Sequence, residues 1–244
     1  VDPFAKVAGN GIKKLVESGK NVIVGILEDE CNELNKRFFT FHQKQRPYII
    51  LKWAETADGF IAPISKEEKS PVWITNQYSR QLVHKWRTEE QAILVGTNTV
   101  LDDNPKLDAR DFSGNNPVRI VLDKSGKISE NYHVKNNSQK TIFITESENF
   151  ISTENCIYEN AIFDIHLISS ICEILYKNNI QSVIIEGGSK TLQSFIDANL
   201  WDEARVFKGD TTFQNGILAP NISGNPVAGF DIMNDELKIF KNYD

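Results

Sequence analysis

Residues 183–192 read VIIEGGSKTL, and this stretch decides the class of fold. The run VIIE is typical of a buried strand, because it is apolar and β-branched up to its last residue. The double glycine Gly187-Gly188 then makes a turn, and SKTL opens a helical pattern. Glycines let the main chain approach an anion, and the N–H groups and dipole of a helix N-terminus attract it. The stretch therefore predicts an anion site, with Glu186 at the strand end where open α/β sheets bind ligands.

A second interpretation of the same stretch stays open. The dinucleotide pattern GxGxxG is absent, and a lone Gly-Gly is more often an ordinary tight turn between a strand and a helix. The carboxylate of Glu186 at the end of the strand favours the anion-site hypothesis.

The composition excludes several classes of protein. The 244 residues carry a net charge of −6 and no basic run, which argues against a general nucleic-acid binder. No apolar stretch has the length of a membrane span, and the N-terminus VDPFAKVAGNGIKKL has no apolar signal-peptide core. The 3 cysteines are far apart and the 4 histidines have no metal-ligand spacing. We therefore expect reduced thiols, no metal, no membrane partner and a cytoplasmic location.

Strands alternate with helices along most of the chain. Strands are predicted at residues 48–54, 60–62, 92–95, 118–122, 141–145, 183–186, 204–207 and 237–240, and helices at 77–89, 167–178 and 189–198. Thr75 or Asn76 is the expected N-cap of the helix at 77–89. The alternation predicts an α/β fold with a mixed, mostly parallel sheet and helices on both faces.

The first 45 residues form a separate segment in this interpretation. A short helix, a β-branched run at 22–27 and a helix at 28–41 predict an α-β-α piece too small for a core of its own. Leu34, Phe38 and Phe41 are predicted to share one helix face. Exposed rings at Phe38, Phe39 and Phe41 favour a homodimer.

Five side chains are candidates for chemistry. Arg87 and Arg110 are either local caps or clamps for a substrate phosphate, and their position on either side of one polar loop favours the clamp. Trp73 is either core or a platform for a flat ring, and Asp103 either caps a loop or positions a ligand or proton. His84 is predicted to lie on the surface. The sequence has no Ser/His/Asp or Cys/His nucleophile pattern, so we expect a protein that positions a substrate against a cofactor.

Several stretches in this order resemble the reductase domain of the riboflavin-biosynthesis deaminase/reductase family, whose fold is similar to that of dihydrofolate reductase. They are 47–59 (PYIILKWAETADG), 73–75 (WIT), Arg87, 92–105 (AILVGTNTVLDDNP), 119–123 (RIVLD), 186–188 (EGG) and 201–203 (WDE). The resemblance covers about residues 46–210.

Residues 1–45 resemble the tail of the family's deaminase domain, which predicts a deaminase remnant at 1–45 and a reductase domain at 46–244. The zinc deaminase signature of His-x-Glu and Pro-Cys-x-x-Cys is absent, so no deaminase activity is expected.

The resemblance also implies an activity and a set of site residues. The family uses NADPH to reduce the ribosyl group of 5-amino-6-(5-phosphoribosylamino)uracil to a ribityl group. By position, the implied cofactor contacts are Ala54, Trp73, Thr99, Asp103, Gly188, Ser189, Lys190, Thr191, Leu192, Gln193 and Ser194. The implied contacts with the phosphorylated pyrimidine substrate are Ser70, Arg87, Leu107, Arg110 and Glu186, with the arginines on the 5-phosphate. Asp103 is our candidate for the catalytic proton donor.

Three positions depart from the family pattern. The second carboxylate of the family's Asp-Asp-Pro is Asn104 here, and an expected serine is Pro71, with Ser70 beside it as a substitute. Lys124 stands where a serine is common, and a lysine there is placed to bind the 2′-phosphate of NADPH.

Two rival functions remain open. One is a dihydrofolate-reductase-type enzyme, against which Arg87 and Arg110 argue, and the other is a non-catalytic nucleotide-binding module.

Overall fold

A wide β-sheet dominates the chain, which a computed structural model describes for residues 2–3, 7, 9–65 and 72–243. The strands are β1 (Tyr48–Glu55), β2 (Phe60–Ala62), β3 (Ala92–Gly96), β4 (Val118–Leu122), β5 (Thr141–Thr145), β6 (Cys156–Asn160), β7 (Ser182–Ile185), β8 (Glu203–Lys208), β9 (Ile217–Leu218), β10 (Ala228–Ile232) and β11 (Asp235–Lys241). The helices are α1 (Asn10–Glu17), α2 (Glu28–Leu34), α3 (Lys36–Lys44), α4 (Gln77–Glu89), α5 (Thr97–Asp103), α6 (Leu167–Lys177) and α7 (Ser189–Asp197).

Within the described residues, nine strands form one sheet in the order β10-β11-β8-β1-β7-β3-β4-β5-β6. All neighbours from β8 to β6 are parallel, whereas β11 pairs antiparallel with both β8 and β10. Strands β2 and β9 form a separate antiparallel pair. The predicted α/β fold with a mixed, mostly parallel sheet is confirmed.

Helices cover both faces of the sheet and bury its central strands. On one face, Val83 and Trp86 of α4 pack on the sheet together with Val100 of α5. On the other face, α6 and α7 contribute Leu175 and Phe195, which are fully buried. The central strands are apolar on both sides because both sides are covered, as parallel sheets require.

Helix α4 begins where the sequence predicts. The side-chain oxygen of Asn76 accepts hydrogen bonds from the N–H groups of Tyr78 and Ser79 at 2.9 and 3.1 Å, so Asn76 is the N-cap. Its amide donates to the carbonyl of Ile232 at 2.7 Å, which fixes the start of α4 against the β10–β11 hairpin.

Two predictions for the N-terminal segment are wrong. Residues 22–27 are not a strand: Ile23, Val24, Ile26 and Leu27 are exposed, and no strand in the described chain lies beside this segment to accept its backbone hydrogen bonds. The α-β-α interpretation therefore fails. The predicted helix at 28–41 breaks at Asn35 into α2 and α3, and Leu34 points to solvent instead of sharing a face with Phe41.

Helix α3 packs on the sheet rather than exposing its rings. Phe41 is buried, with its ring 4.6 Å from that of Tyr176, and Phe38 and Phe39 are half-buried. Lys36 pairs with Glu203 of β8 at 3.0 Å, which adds a charged contact to the apolar one. The exposed-ring argument for a homodimer is therefore wrong.

Candidate active site

A cleft of about 1260 Å³ opens at the carboxyl ends of the central parallel strands. Lys52 and Ala54 near the end of β1, Gly96 at the end of β3 and Glu186 just after β7 all line it. These strand ends meet because β7 pairs in parallel with both β1 and β3.

Glu186 is the central charge of the cleft. Its side chain is 8% exposed and accepts two hydrogen bonds from Arg87, from Nε at 2.8 Å and from Nη2 at 2.7 Å. The Nζ of Lys52 lies 3.8 Å from Oε2 of Glu186. Burial alone raises the pKa of Glu186, but the charges of Arg87 and Lys52 outweigh it and hold that pKa at about 2. Glu186 is therefore an ionised acceptor across the physiological range.

The two arginines predicted from the sequence meet at Asp108. The Nη1 of Arg87 donates to the Asp108 carbonyl at 2.9 Å, and the Nη1 of Arg110 donates to the Asp108 carboxylate at 2.7 Å. The side chain of Arg110 is 43% exposed, whereas that of Arg87 is 13% exposed. Arg87 does not cap its own helix: it joins α4 to the end of β7 and to the loop after α5. Both arginines line the cleft, as the clamp hypothesis requires.

Two residues that line the cleft, Lys52 and His84, are not among the site residues that the sequence predicts. Lys52 is 15% exposed, and burial lowers its pKa, although Glu186 opposes that shift. A lysine inside the apolar run YIILKWA was the signal that pointed to it. His84 is only 4% exposed and lines the cleft one turn before Arg87, so its predicted surface position is wrong. The spacing of four between His84 and Arg80, which also lines the cleft, places both on one helix face.

The glycine turn brings the first residues of α7 to the cleft. The N–H of Gly96 donates to the carbonyl of Gly187 at 2.9 Å, and Gly187 has a φ of 134°, which favours glycine. A Cβ on Gly96 would lie 2.8 Å from Oγ1 of Thr191, so β3 and α7 approach closely only because Gly96 has no side chain. The first N–H groups of a helix have no partner within the helix, and here the residues that carry them line the cleft.

The structure brings most of the predicted site residues together. The predicted residues that line the cleft are Ala54, Trp73, Arg87, Thr99, Asp103, Leu107, Arg110, Glu186, Gly188, Ser189, Lys190, Thr191, Leu192 and Ser194. Gln193 points elsewhere and bonds Asp197 at 2.8 Å. Lys124 is also outside the lining and pairs with Glu146 at 3.4 Å. Ser70 and Pro71 lie outside the described residues.

Asn104 suits its place in the fold. It follows α5 with a φ of 41°, in the left-handed region that asparagine tolerates better than most residues. Its side-chain oxygen accepts from the N–H of His133 at 2.8 Å. Asn104 therefore lacks the carboxylate of the family's Asp-Asp-Pro pattern, but it still ends α5 in the left-handed conformation.

The described part of the chain has neither a candidate membrane-spanning helix nor a candidate metal-ligand cluster. None of its helices has both the length and the apolar content needed to cross a membrane. Its His, Cys, Asp and Glu side chains form no group of three that could hold a metal ion.

The parallel sheet, the glycine turn into α7 and the charged cleft define an α/β domain with its candidate ligand site at the carboxyl ends of the parallel strands. Residues 47–211 match the family described as the RibD C-terminal domain, and the chain belongs to this family. It is 35% identical over 251 residues to the riboflavin biosynthesis protein RibD of Aquifex aeolicus, covering 99% of this chain and 66% of that protein. It is 34% identical over 218 residues to the RibD protein of Actinobacillus pleuropneumoniae, covering 84% of this chain and 56% of that one.

A solved structure agrees with this family. The chain is similar to a diaminohydroxyphosphoribosylaminopyrimidine deaminase/5-amino-6-(5-phosphoribosylamino)uracil reductase from Thermotoga maritima, with a TM-score of 0.83 and 33% identity, over 97% of this chain and 68% of that one. The chain thus spans about two thirds or less of the curated relatives named above.

Proposed function

We propose that this chain is a reductase of riboflavin biosynthesis that uses NADPH to convert the ribosyl group of 5-amino-6-(5-phosphoribosylamino)uracil to a ribityl group. The observation that carries the proposal is the ionised Glu186, which Arg87 and Lys52 hold in the same cleft as the glycine-rich start of α7. The activity named for the Thermotoga maritima relative supports the choice of substrate.

The residues present fit a nicotinamide dinucleotide. The residues of the N-terminal turn of α7 line the cleft, and their N–H groups would hold the pyrophosphate. Trp73, whose ring is 54% exposed in the cleft wall, and Thr99 would contact the rest of the cofactor. When bound, the reduced nicotinamide supplies a hydride. Lys124 would determine the preference for NADPH over NADH by binding the 2′-phosphate. Its ion pair with Glu146 would have to break for that contact to form.

Different side chains of the cleft would bind the phosphate, bind the pyrimidine or ribose, and deliver the proton. Arg110, which is the more exposed arginine, would bind the 5-phosphate together with Arg87. Glu186 would accept hydrogen bonds from the pyrimidine or the ribose. In the open-chain imine form of the substrate, C1′ would gain the hydride that the cofactor supplies, and the imine nitrogen would gain one proton. Asp103 or a water bound beside it would deliver that proton. The cleft aligns the two reacting carbons and excludes bulk water.

Four broader statements belong to the same proposal. The chain acts as a homodimer, which the exposed apolar side chains of Phe230 and Met233 on the β10–β11 hairpin support. It works in the cytoplasm and has no deaminase activity of its own, since its sequence lacks His-x-Glu and Pro-Cys-x-x-Cys. Residues 1–45 and 46–244 derive from a deaminase and a reductase domain respectively.

The test is NADPH binding followed by turnover. We expect NADPH to bind, as seen by its fluorescence, and to be oxidised when the phosphorylated pyrimidine is added, but not with dihydrofolate. Oxidation with dihydrofolate instead would favour a dihydrofolate-reductase-type enzyme. Binding without turnover would favour the non-catalytic module, and no binding would reject the anion site at the start of α7.

A further inference from the structure

The loop that carries Arg110 is held on α4 at two points. The first is the bond from Arg87 to the Asp108 carbonyl. The second joins His84 to Asp111, with Nε2 of the ring 3.1 Å from Oδ2 of the carboxylate. His84 and Arg87 are three residues apart, so both contacts come from one face of α4. Arg110 lies in the chain between the two contacted residues, and its position depends on both.

The ring of His84 lies in the wall of the cleft, is only 4% exposed, and contacts the loop through Asp111. Its Nε2 is engaged by Asp111, and its Nδ1 is buried without a hydrogen-bond partner among the described residues. A buried nitrogen with no partner is unfavourable, so the ring needs a compensating contact to be retained there. In the described chain, the Asp111 carboxylate provides that contact.

Burial and the charged groups around His84 determine the protonation state in which its ring contacts Asp111. Arg87 and Arg110 face it with positive charge, and Asp111 and Glu186 with negative charge. Burial, followed by the two arginines, lowers the pKa of His84. The ring is therefore neutral at neutral pH, and its Nε2–H donates to the carboxylate of Asp111.

We propose that His84 and Asp111 form a latch that positions Arg110 for the 5-phosphate of the substrate. His84 is a positioning residue: it acts through Asp111 and the loop rather than on the reacting atoms. The latch rests on the proposed function, because it specifies how the phosphate end of that same site is built. Its loss should weaken phosphate binding while the reacting end of the cleft stays intact.

The experiment separates the phosphate end of the site from the rest. Calorimetry measures the Kd of ribose 5-phosphate, and steady-state kinetics compares the phosphorylated pyrimidine with its dephosphorylated form. The variants are H84L, D111A, the H84L/D111A double variant and H84Q, whose amide can still donate to Asp111. K85A is the matched control, since Lys85 is on the same helix, half exposed, and pairs only with Glu89 in the structure described. Near-UV circular dichroism and Tm report folding, and D111A tests the latch at an exposed side chain if H84L fails to fold.

We expect H84L and D111A each to raise the Kd of ribose 5-phosphate and the KM of the phosphorylated substrate about tenfold, with kcat nearly unchanged. The double variant should be no worse than either single one, because both remove the same contact. H84Q should remain within about threefold of the wild type, and kcat/KM for the dephosphorylated form should not change.

Equal losses on both substrates, additive effects, or an H84Q variant as impaired as H84L would overturn the latch. So would a wild-type chain that does not bind ribose 5-phosphate. A wild-type chain that binds ribose 5-phosphate but never oxidises NADPH would reject the proposed function instead, and the Kd series would still decide on the latch.

Discussion

Arg87 and Glu186 lie 99 residues apart in the chain and form a two-point ion pair inside the cleft. The pair joins α4 to the end of β7, and Lys52 on β1 adds a second positive charge 3.8 Å from the carboxylate. Three elements thus share one buried charge cluster. Its disruption should affect both the stability of the fold and the geometry of the site.

The substitution Glu186→Gln removes the negative charge of this cluster and leaves two buried cations without a counter-charge. We expect the free energy of unfolding to fall by about 3 kcal/mol. We also expect kcat/KM for the phosphorylated pyrimidine to fall about a hundredfold, because Arg87 and Lys52 lose their fixed positions. Urea unfolding and NADPH oxidation measure the two effects. E89Q, at an exposed residue of α4, is the control and should behave as wild type.

The pH dependence of stability should report the same carboxylate. The pKa of Glu186 is about 2 in the folded chain, against an ordinary value of 4.5. Because folding lowers this pKa, the stabilisation is complete above the ordinary value and is lost as the pH falls towards 2. The difference in unfolding free energy between wild type and E186Q should therefore shrink by about 3 kcal/mol from neutral pH to pH ~2. A difference that is constant with pH would contradict the ionised state of Glu186.

The substitution Asp103→Asn tests the proposed proton donor. Asparagine keeps the size of the side chain but cannot release a proton, so turnover should fall at least about a hundredfold while NADPH still binds. Fluorescence titration and single-turnover oxidation distinguish these effects. D231N, on the edge strand β10, serves as the control. Unchanged turnover in D103N would assign the proton to a bound water.

The substitution Gly96→Ala tests the close approach of β3 and α7. The added Cβ would lie 2.8 Å from Oγ1 of Thr191, so the start of α7 must move. We expect a loss of about 1–3 kcal/mol in stability and a rise of about tenfold or more in the Kd of NADPH. The double variant G96A/T191A, which removes the contacted oxygen, should restore the affinity to that of T191A alone. G11A, where a Cβ meets nothing within 4 Å, should leave NADPH binding unchanged.

Local patterns predicted the parallel core well. The apolar runs that became β1, β3, β4, β5, β7 and β8 were all identified, because a strand covered on both faces needs continuous apolar residues. Strands β6 and β10 were missed for the converse reason: they lie at the two edges of the sheet, where β6 is half-buried and β10 is mostly exposed, so CIYEN and AGFDI carry no such run. The run at 22–27 was over-interpreted, because β-branched residues favour strands only where a neighbouring strand is present.

The sequence by itself determined the class of fold, the strand-turn-helix unit at Glu186-Gly187-Gly188, and the candidate residues of the site. The class of fold and the strand-turn-helix unit follow from the periodicity and chemistry of short stretches, whereas most of the candidate site residues are implied by the resemblance to the reductase family. Only the tertiary structure showed that Arg87 bonds Glu186, that Lys52 joins them, and that His84 is buried against Asp111. These ion pairs form only between side chains that the order of the strands brings to within about 4 Å of each other. The pattern of residues in a short stretch does not contain that information.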